Sequence, residues 1–266
     1  MNPSGIDFHC HLDLYPDHIR AFKHCEEEGV NILAVTTTPL AWPHNQELAA
    51  KSAFIRVGLG LHPQVVGDRE GEIERFEKLV AQAQFIGEVG LDAGPRFYRS
   101  LAAQRRVFER VLRACSASGP KVLSIHAVRT VPEVLKMLKE WLPISKGLPI
   151  LHWFSGTPAE VARAVDGGCW FSINPSMAAS VNGLKIIDTI PIERMLTETD
   201  GPFAKDSNGV ALQPGCVDGA VEIIARRKNL TEDMVRGQLL TNLEQVDRFV
   251  GYIGSYVRSP LLPESH

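Results

Sequence analysis

Asp7-Phe8-His9-Cys10-His11 ends the first apolar run of the chain, and its reading decides the rest. In an extended segment successive side chains point to opposite faces, so His9 and His11 share a face and Cys10 points away. Two imidazoles presented together can chelate one cation. The alternative is a chance HxH pair in a chain with nine histidines. Whether other apolar runs also end on metal-type ligands decides between them.

Working outward, short apolar or β-branched runs recur at 5–9, 31–37, 54–61, 85–91, 122–127, 148–153, 170–173 and 194–197, giving eight predicted strands. Amphipathic stretches lie between or after them at 16–28, 70–83, 100–117, 131–141, 158–166 and 219–228. In the stretch 100–117, Leu101, Phe108, Val111 and Cys115 recur at helical spacing, a stripe that would face a sheet. Strand and helix alternation implies parallel strands with crossover helices, and eight such units close a TIM (β/α)8 barrel of the α/β class. The length of 266 residues is ordinary for one such barrel, so a single domain over 1–254 is expected. The stretch 204–215 reads as one long loop after strand eight, and 255–266 as a flexible tail.

Composition narrows the class further. With 44% hydrophobic and 22% charged residues the chain can bury a sizeable core, which argues against disorder. A net charge of −3 supplies no general attraction to a polyanion, so nucleic-acid binding would need a local basic patch or bound metal. Five scattered cysteines with no CxxC pair argue against a disulfide framework or a zinc ribbon and fit a reducing compartment. No basic leader precedes an apolar stretch, and no apolar run approaches bilayer length, so a cytoplasmic protein without membrane association is expected.

Other strand ends repeat the chemistry of the first. Glu88 stands in Gly87-Glu88-Val89-Gly90-Leu91-Asp92, where a buried carboxylate persists only if it is paired or binds metal. A salt bridge to a nearby arginine is the alternative. His126 closes the fifth run and His152 the sixth, and Asp200 follows the eighth in Glu198-Thr199-Asp200-Gly201-Pro202. Each histidine alone could be a core residue with a satisfied hydrogen bond. In a barrel, however, active sites occupy the C-terminal ends of strands, and five strands would deliver ligand-type residues to that rim.

Imidazoles mixed with carboxylates suit zinc, manganese, iron or cobalt, whereas an all-oxygen set would suit magnesium or calcium. Two ions sharing Glu88 would place His9, His11 and Asp200 at one position and His126 and His152 at the other. Such a pair can activate water and stabilise both oxygens of a phosphoryl displacement, with Glu88 and Asp200 as catalytic carboxylates and Asp200 as general base. His62, in Gly60-Leu61-His62-Pro63, reaches the same rim and reads as a substrate contact or as a residue ordering its turn. Ser155 and Asn174 share that ambiguity and are carried as substrate-binding candidates. Arg105 and Arg106 could meet phosphates, but they sit in a predicted helix where a solvated face is the plainer reading. There is no GxSxG elbow, no GxxxxGK[ST] loop and no GxGxxG after a strand, which excludes serine-hydrolase, P-loop and Rossmann chemistry.

Taken in order, Asp7-Phe8-His9-Cys10-His11-Leu12-Asp13, Gly60-Leu61-His62-Pro63, Gly87-Glu88-Val89-Gly90-Leu91-Asp92, Gln104, Ser124-Ile125-His126, His152-Trp153-Phe154-Ser155-Gly156, Phe171-Ser172-Ile173-Asn174 and Glu198-Thr199-Asp200-Gly201-Pro202 span nearly the whole chain. This series resembles the TatD family of metal-dependent deoxyribonucleases, within the amidohydrolase-like barrels. The resemblance implies two divalent ions (zinc, magnesium or manganese) on His9, His11, Glu88, His126, His152 and Asp200. It also implies hydrolysis of DNA phosphodiesters, typically as a 3′-5′ exonuclease on single-stranded ends. The sequence departs from the family in Ala127-Val128-Arg129-Thr130 and in its C-terminal pattern, which bears on substrate choice and not on the metal set. Some divergent branches of the family accompany bacterial anti-phage genes, which implies protein partners in an antiviral defence complex.

Two other functions fit the residues. One is a barrel hydrolase acting on a small amide, lactone or nucleotide; a deaminase of this kind would want an HxE shuttle near its metal, where His126 is followed instead by Ala127 and Val128, and a lysine-bridged lactonase would want Lys where Glu88 stands. The other is a nuclease subunit or binding scaffold that works only in a larger complex.

Overall fold

The computed structural model describes residues 5–206 and 208–252, so the expected tail at 255–266 lies outside the described residues. Eight strands follow one another around the sheet in chain order: β1 (Ile6–Cys10), β2 (Asn31–Val35), β3 (Ile55–Leu59), β4 (Phe85–Asp92), β5 (Lys121–Val128), β6 (Gly147–His152), β7 (Trp170–Ile173) and β8 (Met195–Thr197). Each neighbouring pair from β1 to β8 is parallel. The circle is drawn shut just beyond β8, where the Asp200 N–H donates to the His9 carbonyl at 2.9 Å and the His11 N–H to the Gly201 carbonyl at 2.8 Å. The fold is the TIM barrel that the strand count predicts.

The helices are α1 (His18–Glu27), α2 (Trp42–Ala49), α3 (Val66–Arg69), α4 (Ile73–Leu79), α5 (Leu101–Ser118), α6 (Val131–Trp141), α7 (Pro158–Asp166), α8 (Val181–Thr189), α9 (Asp218–Lys228) and α10 (Glu232–Val250). The buried stripe of α5 is Gln104, Val107, Phe108, Val111, Leu112 and Cys115, as the spacing predicts. Its outer face is tied to its neighbours: Arg105 reaches Glu133 and Arg106 reaches Glu70, so both arginines sit in a solvated ion-pair face.

Helices α2, α3, α8 and α10 are absent from the sequence reading. Polar residues interrupt the apolar stripe of α10: Asn242 and Asp247 are buried in it beside Val235, Leu239, Leu243 and Val246. Asn242 Nδ2 donates to the Ile192 and Met195 carbonyls at 2.7 Å each and so anchors the approach to β8. The buried Asp247 carboxylate receives Arg56 Nε at 2.7 Å, and the Tyr252 ring covers the guanidinium at 4.8 Å. This pair stands at the N-terminal end of the barrel, opposite the rim with the histidines. Among the described residues no helix is long and apolar enough to cross a membrane.

Candidate metal centre

Two strands lose regular register at the residues that matter. The β1–β2 pairing shifts between Asp7 and Cys10, and the β4–β5 pairing shifts between Ile86 and Val89. An extra residue in a strand bends it and re-aims a side chain. His9 lies in the first irregularity and Glu88 in the second, and both point into the barrel mouth. The close approach of chains here also requires glycine: a Cβ on Gly60 would fall 1.8 Å from the Thr36 carbonyl oxygen and 2.6 Å from the Glu88 nitrogen.

Glu88 is 1% exposed and lies at the centre of five imidazoles. Its Oε2 faces His11 Nε2 at 3.1 Å and His9 Nε2 at 3.3 Å. Its Oε1 faces His126 Nδ1 at 2.7 Å, His152 Nε2 at 2.8 Å and His62 Nε2 at 3.0 Å. Asp200 adds Oδ1 at 3.6 Å from both His9 Nε2 and His11 Nε2. Its backbone φ of 51° turns the carboxylate back over the barrel after β8. Thus all six residues singled out as ligands converge, and His62 joins them.

The far side of each ring decides what the near side can do, because a neutral imidazole carries one proton. His9 Nδ1 meets the Ser124 hydroxyl at 2.7 Å. His126 Nε2 meets the Asp92 carboxylate at 3.1 Å, and His152 Nδ1 has Glu198 Oε1 3.7 Å away. Ser124 and Asp92 can accept a ring proton, which leaves a lone pair on the His9 and His126 atoms that face Glu88, whereas Glu198 lies beyond hydrogen-bond range of His152 Nδ1. His62 is the reverse: its Nδ1 accepts the Gln64 backbone N–H at 3.1 Å, so its proton belongs on Nε2, toward Glu88. An N–H is a donor and not a ligand. His62 therefore differs in kind from His9 and His126, although His62, Glu88 and His126 are close enough to share an ion.

Electrostatics agree with a cation-binding centre. Burial alone would raise Glu88, but the surrounding imidazoles hold it well below the usual carboxylate range. Burial, together with the charge on His152, lowers His9 well below the usual histidine value. Burial also opposes the charged form of His152, yet Glu88 and Glu198 raise it well above normal. Asp200 is pushed up to about 7, chiefly by burial, with the Glu88 charge adding to the rise. Buried His9 Nε2, His11 Nδ1 and His152 Nδ1 have no hydrogen-bond partner. Orphaned buried ring nitrogens around an ionised carboxylate are costly without a cation, so the donor set fits divalent metal, with nitrogen and oxygen ligands of the kind zinc or manganese take.

Around this centre is a cavity of about 470 Å³ whose lining includes Ser155, His62, Trp153 and Phe203. Asn174 does not line it. That side chain is 0% exposed, gives its amide to the Thr199 carbonyl at 2.9 Å and accepts the Ser176 N–H at 2.9 Å. Sequence reasoning passed over Ser124, Asp92 and Glu198 as partners of the ligand rings. A signal was present: Ser124 and Asp92 lie in the same runs as His126 and Glu88, and Glu198 lies two residues before Asp200.

The sequence pattern of the TatD related DNase family matches residues 6–247. Deoxyribonuclease TATDN3 of Homo sapiens is 26% identical over 250 residues, which cover 86% of this chain and 89% of that protein. The 3'-5' ssDNA/RNA exonuclease TatD of Citrobacter koseri is 30% identical over 184 residues, 66% of this chain and 69% of its own length. In fold, the crystal structure of the TatD homolog YJJV from Escherichia coli superimposes with a TM-score of 0.78 over 91% of this chain and 97% of that one, at 22% identity. With the family pattern matched from β1 into α10, the chain belongs to the TatD related DNase family of metal-dependent hydrolases.

Proposed function

We propose that this chain hydrolyses phosphodiester bonds at single-stranded DNA ends as a 3′-5′ exonuclease, using two divalent ions. The observation that carries this reading is the division of Glu88, whose two carboxylate oxygens face two separate groups of imidazoles. His9, His11 and Asp200 would hold one ion and His126 and His152 the other, with Glu88 between them. Bound there, divalent ions supply Lewis-acid polarisation of the phosphoryl group and acidify a water molecule.

The chain's own groups do the rest. Asp200, whose Oδ1 lies 3.6 Å from both His9 Nε2 and His11 Nε2, would accept a proton from the attacking water. His62 presents Nε2–H to the same space and can donate to a phosphoryl or leaving oxygen. The Ser155 hydroxyl on the cavity wall is a further substrate contact. Asn174 would act at one remove, by holding the Thr199 carbonyl and so the position of Asp200. Polarity and single-strand preference follow the Citrobacter koseri relative, a 3'-5' ssDNA/RNA exonuclease.

The test is release of nucleotides from end-labelled single-stranded DNA with magnesium, manganese or zinc, beside the Glu88→Ala/Asp200→Ala double variant. Metal-dependent 3′-5′ release lost in the variant is expected. Among the described residues no lysine or arginine lines the cavity, and this favours a second reading, a small amide, lactone or nucleotide substrate. Wild-type protein that releases nothing with any metal would shift the assignment to such a substrate, or to a subunit that needs a defence-complex partner.

A further inference from the structure

The cavity is polar at its floor and apolar at its walls. Its floor carries His11, Glu88, His126, His152 and Asp200, while Val65, Val128, Trp153 and Phe203 form apolar wall. With no lysine or arginine among the described residues of its lining, the backbone of a nucleic acid finds few fixed positive partners beyond the metal centre. Affinity for the remainder of a nucleotide must then come from the walls.

Two of the wall residues are aromatic. Phe203 is 58% exposed, a large apolar ring left in water beside the mouth. It stands edge-on to His11, with ring centroids 5.1 Å apart and planes at 85°. Trp153 has a backbone φ of 35°, in the left-handed region that L-residues with large side chains rarely adopt. Its N–H is held there by Glu198 Oε1 at 2.9 Å, directly after the ligand His152. Strain of this kind persists where the surroundings impose it, and it concentrates at binding sites. The two aromatics therefore flank the metal centre, Phe203 beside the His11 and Asp200 side and Trp153 beside the His152 side.

Aromatic faces beside a phosphate-binding centre are the chemistry that recognises unpaired nucleobases, since every base has a π-face and stacking tolerates any sequence. We infer that Phe203 and Trp153 stack on bases next to the scissile phosphate, and that this stacking makes the site select unpaired ends. The inference rests on the nuclease reading above and deepens it. A paired terminal base is already stacked in its duplex and would have to be unstacked to meet either ring, so blunt duplex ends are disfavoured.

The experiment compares an end-labelled single-stranded oligonucleotide with the same oligonucleotide carrying base-less residues at the digested end. Wild-type protein, Phe203→Leu, Trp153→Leu and the ring-keeping Phe203→Tyr and Trp153→Phe are measured for KM and kcat. A stacked base contributes roughly tenfold in affinity, so wild-type KM is expected to favour the intact end by that factor or more. That preference is expected to collapse in the Leu variants and to survive in the ring-keeping ones, with the change in KM and not in kcat. A preference unchanged in both Leu variants, or an active wild type that treats the two ends alike, overturns the stacking role and leaves the nuclease reading intact. A wild type inactive on both ends with every metal overturns the nuclease reading, and the stacking role falls with it.

Discussion

His9 Nδ1 and the Ser124 hydroxyl lie 2.7 Å apart across the barrel mouth, one from β1 and the other from β5. The hydroxyl can accept the ring proton, which leaves His9 Nε2 as the lone-pair atom toward Glu88. Partners of this kind typically carry 10- to 100-fold in metal affinity, so Ser124→Ala is expected to weaken metal binding by about that factor. Calorimetric titration with zinc or manganese reads it directly. Unchanged affinity would show that Ser124 does not set the ring.

His62 is expected to separate from the ligand histidines in metal content. Its Nδ1 is committed to the Gln64 N–H at 3.1 Å, so its Nε2 is a donor. His62→Gln should keep the full metal complement after dialysis while kcat falls by about 100-fold, the scale of a lost proton-transfer or charge-stabilising group. His9→Gln and His152→Gln should each lose metal. Metal loss in the His62 variant would make it a ligand.

Metal binding is expected to release protons and to strengthen as pH rises. Asp200 is raised to about 7, mainly by burial, and Glu88 and Glu198 raise His152 well above normal against the effect of burial, so near pH 6 the ion-free centre holds protons on both. A cation takes the lone pairs those protons occupy, and so displaces them. The sign follows: affinity climbs from about pH 6 to about pH 8 as Asp200 ionises, and the release from that group fades above its pKa. Calorimetry in buffers of different ionisation enthalpy measures the count. A pH-independent affinity with no proton release would contradict the assignment.

At the opposite end of the barrel, Arg56 and Asp247 form a fully buried pair. Removing one member of such a pair leaves a buried charge and typically costs about 3–5 kcal/mol. Asp247→Ala is expected to lower stability on that scale by denaturant titration. Replacing both residues, Arg56→Met with Asp247→Leu, should recover most of the loss. A double variant as unstable as the single one would mean that the pair itself, and not the arginine charge left facing no carboxylate at position 247, is what α10 and β3 need.

The strands were the legible part of the fold because each is a short run of apolar residues bounded by breakers, and burial on both faces of a parallel barrel strand requires such a run. The helices α2 and α10 were less legible. Asn45 is buried in the first and Asn242 and Asp247 in the second, and polar groups at core positions break the stripe by which a helix is recognised. Their reasons are tertiary: Asn242 serves carbonyls near β8, and Asp247 serves Arg56 on β3.

At the site, residue type and strand-end position are local properties, so the sequence by itself determined that His9, His11, Glu88, His126, His152 and Asp200 would meet at one rim. What each ring nitrogen does depends on the atom behind it, and those atoms come from other strands and turns: Ser124 for His9, Asp92 for His126, Glu198 for His152, the Gln64 N–H for His62. Likewise, Asn174 and Ser155 looked alike as strand-end polar residues, yet one is sealed under Thr199 and the other lines the cavity. Hydrogen-bond direction and burial are properties of atoms distant in the chain, and only the tertiary structure decided them.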